Sequence, residues 1–233
     1  MSNILSTLSL FAILNSSAKL PRLILPPVYR FAPNRDILGG TAYLILHPAG
    51  NLLVDCPHWD EVTQHFLNQQ GGVRWLFLTH RGGISKDIGA MQKTLQCELV
   101  IQEQEAYLLP GLPVTNFHQT WELLPDLRAF WTSGHSPGSA CLYDRRQGGI
   151  LFTGRHLLPD AQGQPRPLRL AKTFHWPRQV AQVHRLLEQF SPDTLEHICP
   201  GANSGFLRGR NTIANAYQSL VDSNALGALT GEG

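Results

Sequence analysis

Ser133-Gly134-His135-Ser136-Pro137-Gly138-Ser139 sets turn-forming residues and one histidine between two strand-like apolar runs, Leu127 to Thr132 and Ser139 to Tyr143. Gly and Pro punctuate the chain and Ser bonds its own backbone, so the heptapeptide reads as a tight, ordered loop. It follows the carboxyl end of a strand, where α/β proteins place their ligand groups. Two other loops share that arrangement: Thr79-His-Arg-Gly-Gly-Ile-Ser-Lys-Asp87, after the near-continuous apolar run Val73 to Thr79, and Phe152-Thr-Gly-Arg-His156, after Ile150 to Thr153.

The pattern around these loops alternates strands and helices. Thr41 to Leu46 and Asn51 to Asp55, joined at His47-Pro-Ala-Gly50, predict a hairpin. Helical spacing runs from Trp59 to the breaker pair Gly71-Gly72, and again near Ser85 to Leu95. A short strand at Glu98 to Ile101 and a helix starting near Gln102 complete the first half. In the second half, Pro177 opens a helix whose Val180, Val183, Leu186, Leu187 and Phe190 share one face; a strand at Leu195 to Cys199 and a helix over Asn211 to Leu220 follow. The expected division is an N-terminal extension over residues 1–36, a single α/β domain over 37–222 and a flexible tail over 223–233.

Composition narrows the function classes. A length of 233 residues fits one large domain, and 42% hydrophobic content with 21 Gly and 16 Pro describes a turn-rich globular chain, not a disordered one. With 19 basic against 17 acidic residues and no basic run, nothing points to nucleic acid. Cys56, Cys97, Cys141 and Cys199 lie far apart without a CxxC pair, which favours a reducing, cytosolic setting over a disulfide framework or zinc ribbon. The apolar stretch Ile4 to Leu14 is too short to span a bilayer and lacks the basic residues of a secretory leader; its alternatives are a loosely docked terminus or a surface for a protein partner.

Taken in order, the three loops resemble the motifs of the metallo-β-lactamase superfamily, over about residues 37 to 206. That resemblance implies an αββα sandwich of two mixed sheets flanked by helices, with a metal site on loops at one sheet edge. Ser133–Ser139 matches the family's G-H-[TS]-P-G-S, and Leu151-Phe-Thr-Gly154 matches its F-[TS]-G-D up to the metal-bridging aspartate. The first motif, T-H-x-H-x-D-H, departs: His80 keeps the first ligand position, while Gly82, Ile84 and Ser85 stand where the family has His, Asp and His. Arg155 replaces the bridging aspartate, and Ala202 takes the place of the last histidine.

Two imidazoles, His80 and His135, fall short of the three protein ligands of a catalytic zinc, so no metal cofactor is expected. A guanidinium in place of a bridging carboxylate repels a divalent ion: two like unit charges about 4 Å apart cost roughly 4 kcal/mol at an effective dielectric of about 20. It also offers a five-donor fork suited to carboxylate or phosphate. The leading expectation is therefore a degenerate metal centre. Its pocket is built from His80, Arg81, His135, Arg155, His156 and His175, and binds a small anion or an acidic group of a partner protein. The competing expectation is a hydrolase of thioester, lactone or phosphoester type, using one zinc on His80, His135 and a third donor such as Asp87. A third is a structural role, with the motif glycines only making turns. Cys56, near His58, is a candidate nucleophile without an identifiable orienting group, and Cys199 reads as a small buried hydrophobe.

Overall fold

The computed structural model describes residues 19–225. Its first sheet runs β1 (Arg22–Leu25), β2 (Val28–Arg30), β3 (Tyr43–Ile45), β4 (Leu52–Val54), β5 (Trp75–Leu78), β6 (Glu98–Gln102) and β7 (Val114–Phe117), each beside the next. Pairing is antiparallel as far as β4 and parallel from β4 to β7. The second sheet is built from β8 (Thr120–Leu124), β9 (Leu127–Trp131), β10 (Ala140–Asp144), β11 (Ile150–Gly154), β14 (His197–Pro200) and β15 (Ile213–Ala214), in the order β15-β14-β11-β10-β9-β8. A small ribbon of β12 (Leu158–Pro159) and β13 (Pro165–Arg166) lies between them in sequence.

Alternation along each strand sorts the apolar residues into three layers. Leu52 and Val54 of β4, with Trp75 and Phe77 of β5, face the second sheet and pack with Ala129, Leu142, Phe152 and Cys199. The intervening Leu53, Leu76 and Leu78 point the other way, onto Phe66 and Leu67 of α1 (Glu61–Gln69) and Met91 of α2 (Ile88–Leu95). On the opposite side, Leu151 and Ile198 of the second sheet meet Val183 and Leu186 of α3 (Trp176–Gln189) and Leu220 of α4 (Ala216–Ala225). The order of layers is helix, sheet, sheet, helix. Among the described residues no helix is long and apolar enough to cross a membrane.

Several boundaries differ from the sequence reading. The sheet begins at Arg22, within the expected extension over residues 1–36, because β1 and β2 form a hairpin about Pro26-Pro27 that adds to β3. The helix expected near Gln102 is a single 3-10 stretch, Glu103–Leu108, stopped before Pro110 and Pro113; β7 and β8 follow where no strands were expected. Asn211 to Leu220 divides into β15 and the start of α4, which runs to Ala225 and so takes in the first residues of the expected tail. The apolar stretch Ile4 to Leu14 lies outside the described residues.

Candidate functional site

The strand ends β5, β9 and β11 converge on one edge of the two sheets. Leu38, His80, Arg81, Gly82, Leu108, His135, Ser136, Arg155, Leu170, Ala171 and Lys172 surround a cavity of about 510 Å³ there. The volume is within the range of small-molecule sites. A larger hollow of about 610 Å³ near Phe31, His58 and Val62 holds none of the motif residues.

His80 is wired from behind. Asp55 leaves β4 in the left-handed region (φ 57°), a conformation an aspartate tolerates, and turns its carboxylate beneath β5. The Thr79 amide donates to Asp55 Oδ1 at 2.8 Å, the Thr79 hydroxyl donates to Asp55 Oδ2 at 2.7 Å, and that same hydroxyl lies 2.8 Å from His80 Nδ1. Burial pushes the Asp55 carboxyl up to about 6, against the opposing pull of the Thr79 amide and hydroxyl and of Arg155. Burial, with smaller contributions from His135 and Arg155, holds the His80 imidazole well below its usual range. Both rings are therefore neutral near pH 7, since His135 is lowered to about 4 by burial and by Arg155 and Arg81. The two rings meet edge to face, 5.2 Å between centroids.

The loop glycines answer to close approach. A Cβ at Gly134, where φ is 152°, would come within 2.4 Å of Gln179 Cα on α3, and one at Gly83 within 2.5 Å of Asp55 Oδ1. At Gly82 it would stand 2.9 Å from His80 Nε2, too close for a side chain without a shift of the ring. His80 Nε2 is buried and has no hydrogen-bond partner.

The cations have distinct settings. Arg155 donates from Nη2 to the carbonyls of Leu38 (2.9 Å) and Ile37 (3.3 Å), and its guanidinium feels Asp55. Arg81 donates from Nε to Glu105 at 2.9 Å, and Glu105, fully buried, also accepts from the Gly138 amide at 3.2 Å, which joins two of the motif loops. Lys172 has no ion-pair partner among the described residues. Two buried carboxylates thus stand behind two arginines, and the lysine leaves the wall with a positive excess.

Other expected residues do not reach the cavity. His175 is the exposed N-cap of α3, its Nδ1 accepting from the Arg178 amide at 3.1 Å, so it orders the helix start and does not line the wall. His156 is buried behind His135 with neither ring nitrogen partnered, and burial lowers it to about 3. Asp87 stands at the N-terminus of α2 and does not join His80 and His135: among the described residues no group of three or more His, Cys, Asp or Glu is placed to hold a metal ion. Cys56 is fully buried with its thiol pushed up to about 12, too high for a nucleophile at neutral pH, and Cys199 lies in the core between the sheets. Leu38, Leu108, Leu170 and Lys172 were not foreseen; Lys172 belongs to the segment before α3 that the sequence marked only through His175.

No family model matches this chain, and no curated protein does so significantly. Solved structures do. A metallo-beta-lactamase from Pontibacter korlensis superposes with a TM-score of 0.67 at 16% identity, covering 91% of this chain and 99% of that one. The chain has the metallo-β-lactamase fold. An Erythrobacter litoralis metallo-beta-lactamase, with β-mercaptoethanol in its active site, gives 0.64 at 18% identity over 87% of this chain and 94% of its own. A metallo-β-lactamase-fold enzyme of another activity, an N-acyl homoserine lactone hydrolase, gives 0.51 at 15% over 69% and 80%. At the place where this fold carries its metal, the residues here do not fit one. His80 and His135 supply two nitrogens, no further His, Cys, Asp or Glu joins them among the described residues, and the Arg155 guanidinium on the same wall opposes a cation.

Proposed function

We propose that this metallo-β-lactamase-fold chain binds a small anion, or the acidic group of a protein partner, in the cavity between His80, His135 and Arg155, and is not a binuclear metallohydrolase. The observation that supports this best is the wall itself: Arg81, Arg155 and Lys172 line it, and no aspartate or glutamate does. Arg155 makes its bonds to the Ile37 and Leu38 carbonyls through Nη2 alone, which leaves Nε and Nη1 for a ligand. A guanidinium held by one nitrogen is partly pre-oriented, so less freedom is lost when it grips an oxyanion.

Thermal unfolding with phosphate, sulfate or a small dicarboxylate tests the reading. An anion at about 100 times its Kd adds about 2.7 kcal/mol to the folded state, a rise of several degrees for a chain of this size. Arg155→Asp should abolish that rise. The competing reading, hydrolysis on one zinc, predicts stoichiometric metal in protein purified without chelator and its disappearance in His135→Ala. That result would displace anion binding as the function.

A further inference from the structure

We infer that a second cavity, bounded by Lys19, Arg22, Arg30 and Ser204 between the β1–β2 hairpin and the loop after β14, binds the dianionic head of a phosphate monoester. It shares no lining residue with the motif cavity, and neither site needs the other.

Arg22 and Arg30 are register partners across the antiparallel β1–β2 pair. Like charges directly opposite each other on paired strands are destabilising, and this position ordinarily favours an acid facing a base. Here Lys19 adds a third cation to the same wall, and none of the three has an ion-pair partner among the described residues. Asp36 and Asp60 line the neighbouring hollow and not this one. A cleft lined by one sign of charge concentrates the opposite ion. The wall is also fixed in place. Arg30 Nη1 donates to the Asn211 carbonyl at 3.3 Å and Asn211 Nδ2 donates to the Ile24 carbonyl at 3.2 Å, so the loop that carries Ser204 is fastened to both strands. Donor count then selects the ligand. Two guanidinium forks, an ammonium and a hydroxyl exceed what the two oxygens and single charge of a carboxylate satisfy. A phosphate monoester brings three terminal oxygens and about two negative charges, in a geometry the arginine fork matches. The cavity, about 180 Å³, takes that head and little more. Leu20 and Leu23, 58% and 53% exposed, flank Arg22 in sequence, so the monoester is either free in solution or the headgroup of a lipid. The chemistry bound is the same.

Calorimetry with glycerol 3-phosphate and with acetate reads the chemistry; sedimentation with phosphatidylcholine vesicles, plain or containing phosphatidic acid, reads the source. Glycerol 3-phosphate should bind at least about tenfold tighter than acetate, the difference made by one charge-assisted hydrogen bond. Sedimentation with the phosphatidic acid vesicles alone, without binding of glycerol 3-phosphate, assigns the head to a lipid. Amide spectra of the wild type locate the soluble ligand: Leu23, Phe31 and Ser204 should move, whatever happens at Gly82 and Ser136. Arg22→Glu gives Arg30 the acid it lacks. It should weaken whichever binding is seen at least about tenfold, while the melting temperature of the ligand-free protein rises, so lost affinity is not lost fold. Amide shifts confined to Gly82 and Ser136 would place the anion in the motif cavity, overturning this inference and supporting the function proposed above. Acetate binding as tightly as the monoester, unchanged affinity in Arg22→Glu, or no binding of any probe also overturns it.

Discussion

The loops carrying His80 and His135 leave strands at the same edge of the molecule, yet they hold their histidines in opposite ways. Thr79 and Asp55 hold the His80 ring from behind. His135 Nδ1 is buried without a partner, and the order of its loop resides in the backbone: Ser139 Oγ accepts from the Ser136 amide at 2.8 Å, and the carbonyls of Gly134 and His135 receive amides from His175 and Phe174. One histidine is held through its own ring, the other is carried by a rigid turn. The loop that kept its motif kept a scaffold, and the loop that lost its motif retained the better-defined imidazole.

Alanine at each loop's glycine should separate the two cases most sharply. Gly134→Ala drives a methyl into the α3 backbone at a φ that L-residues avoid, and should cost about 3 to 5 kcal/mol in denaturant unfolding. Gly82→Ala meets a side-chain ring and no backbone, at a φ open to L-residues, and should cost about 1 to 2 kcal/mol, less than Gly134→Ala. Equal losses would dissolve the distinction between the two loops.

Thr79→Val comes next in size. It strands Asp55 Oδ2 and His80 Nδ1, two buried polar atoms, and should cost about 3 kcal/mol. Ser136→Ala in the other loop removes one hydroxyl contact, 2.9 Å to Ser139, and should cost about 1 kcal/mol.

Acid gives a comparable effect with a defined sign. His135 and His156 have folded-state values of about 4 and about 3 against an ordinary 6.5, so the unfolded chain takes up their protons first and stability falls as pH drops below 6.5. Between pH 7 and 5 each contributes a loss of about 2 kcal/mol. Asp55, raised from 3.8 to about 6, works in reverse and returns about 1 kcal/mol over that interval. The melting temperature should therefore fall between pH 7 and 5. His80, also lowered by burial, adds to the fall; His156→Leu should reduce it by about 2 kcal/mol, and a flat profile in the wild type would contradict the burial of these rings.

The smallest effect concerns chemistry that is absent. Cys56 should react with alkylating reagents no faster than the unfolding of its surroundings allows, because its thiol stays protonated. Rapid labelling of the folded chain at pH 7.5 would show that it is reachable and ionised.

Much of this fold was legible because its motif loops are local: Ser133–Ser139 and Leu151–Gly154 carry their own turn chemistry, and the hairpin about His47–Gly50 follows from alternation. The strands that escaped notice lack such signals. β1 and β2 are split by Pro26-Pro27, and β8 mixes exposed and half-buried positions without a clean apolar face. The site divides the same way. His80, Arg81, His135 and Arg155 announced themselves by motif position, whereas the bond of Thr79 to Asp55 behind His80 and the grip of Glu105 on Arg81 join residues 24 apart in each case, which only folding brings together. His175 misled because a cap histidine and a ligand histidine look alike until the helix start is placed.

The seam between the two sheets has a further consequence. The Ala140 amide donates to the Thr79 carbonyl at 2.8 Å, the Thr41 amide to Gly201 at 2.8 Å and the Tyr43 hydroxyl to Pro200 at 2.8 Å, each joining one sheet to the other. Strand ends ordinarily fray, and amides near them exchange with solvent long before the core opens. Here the ends are stitched across the layers, so splaying the sheets breaks these bonds together with the packing beneath them. Thr41 and Ala140 therefore belong, in hydrogen exchange, with the slowest amides of the central strands, and the rim of the cavity is as long-lived as the core it sits on.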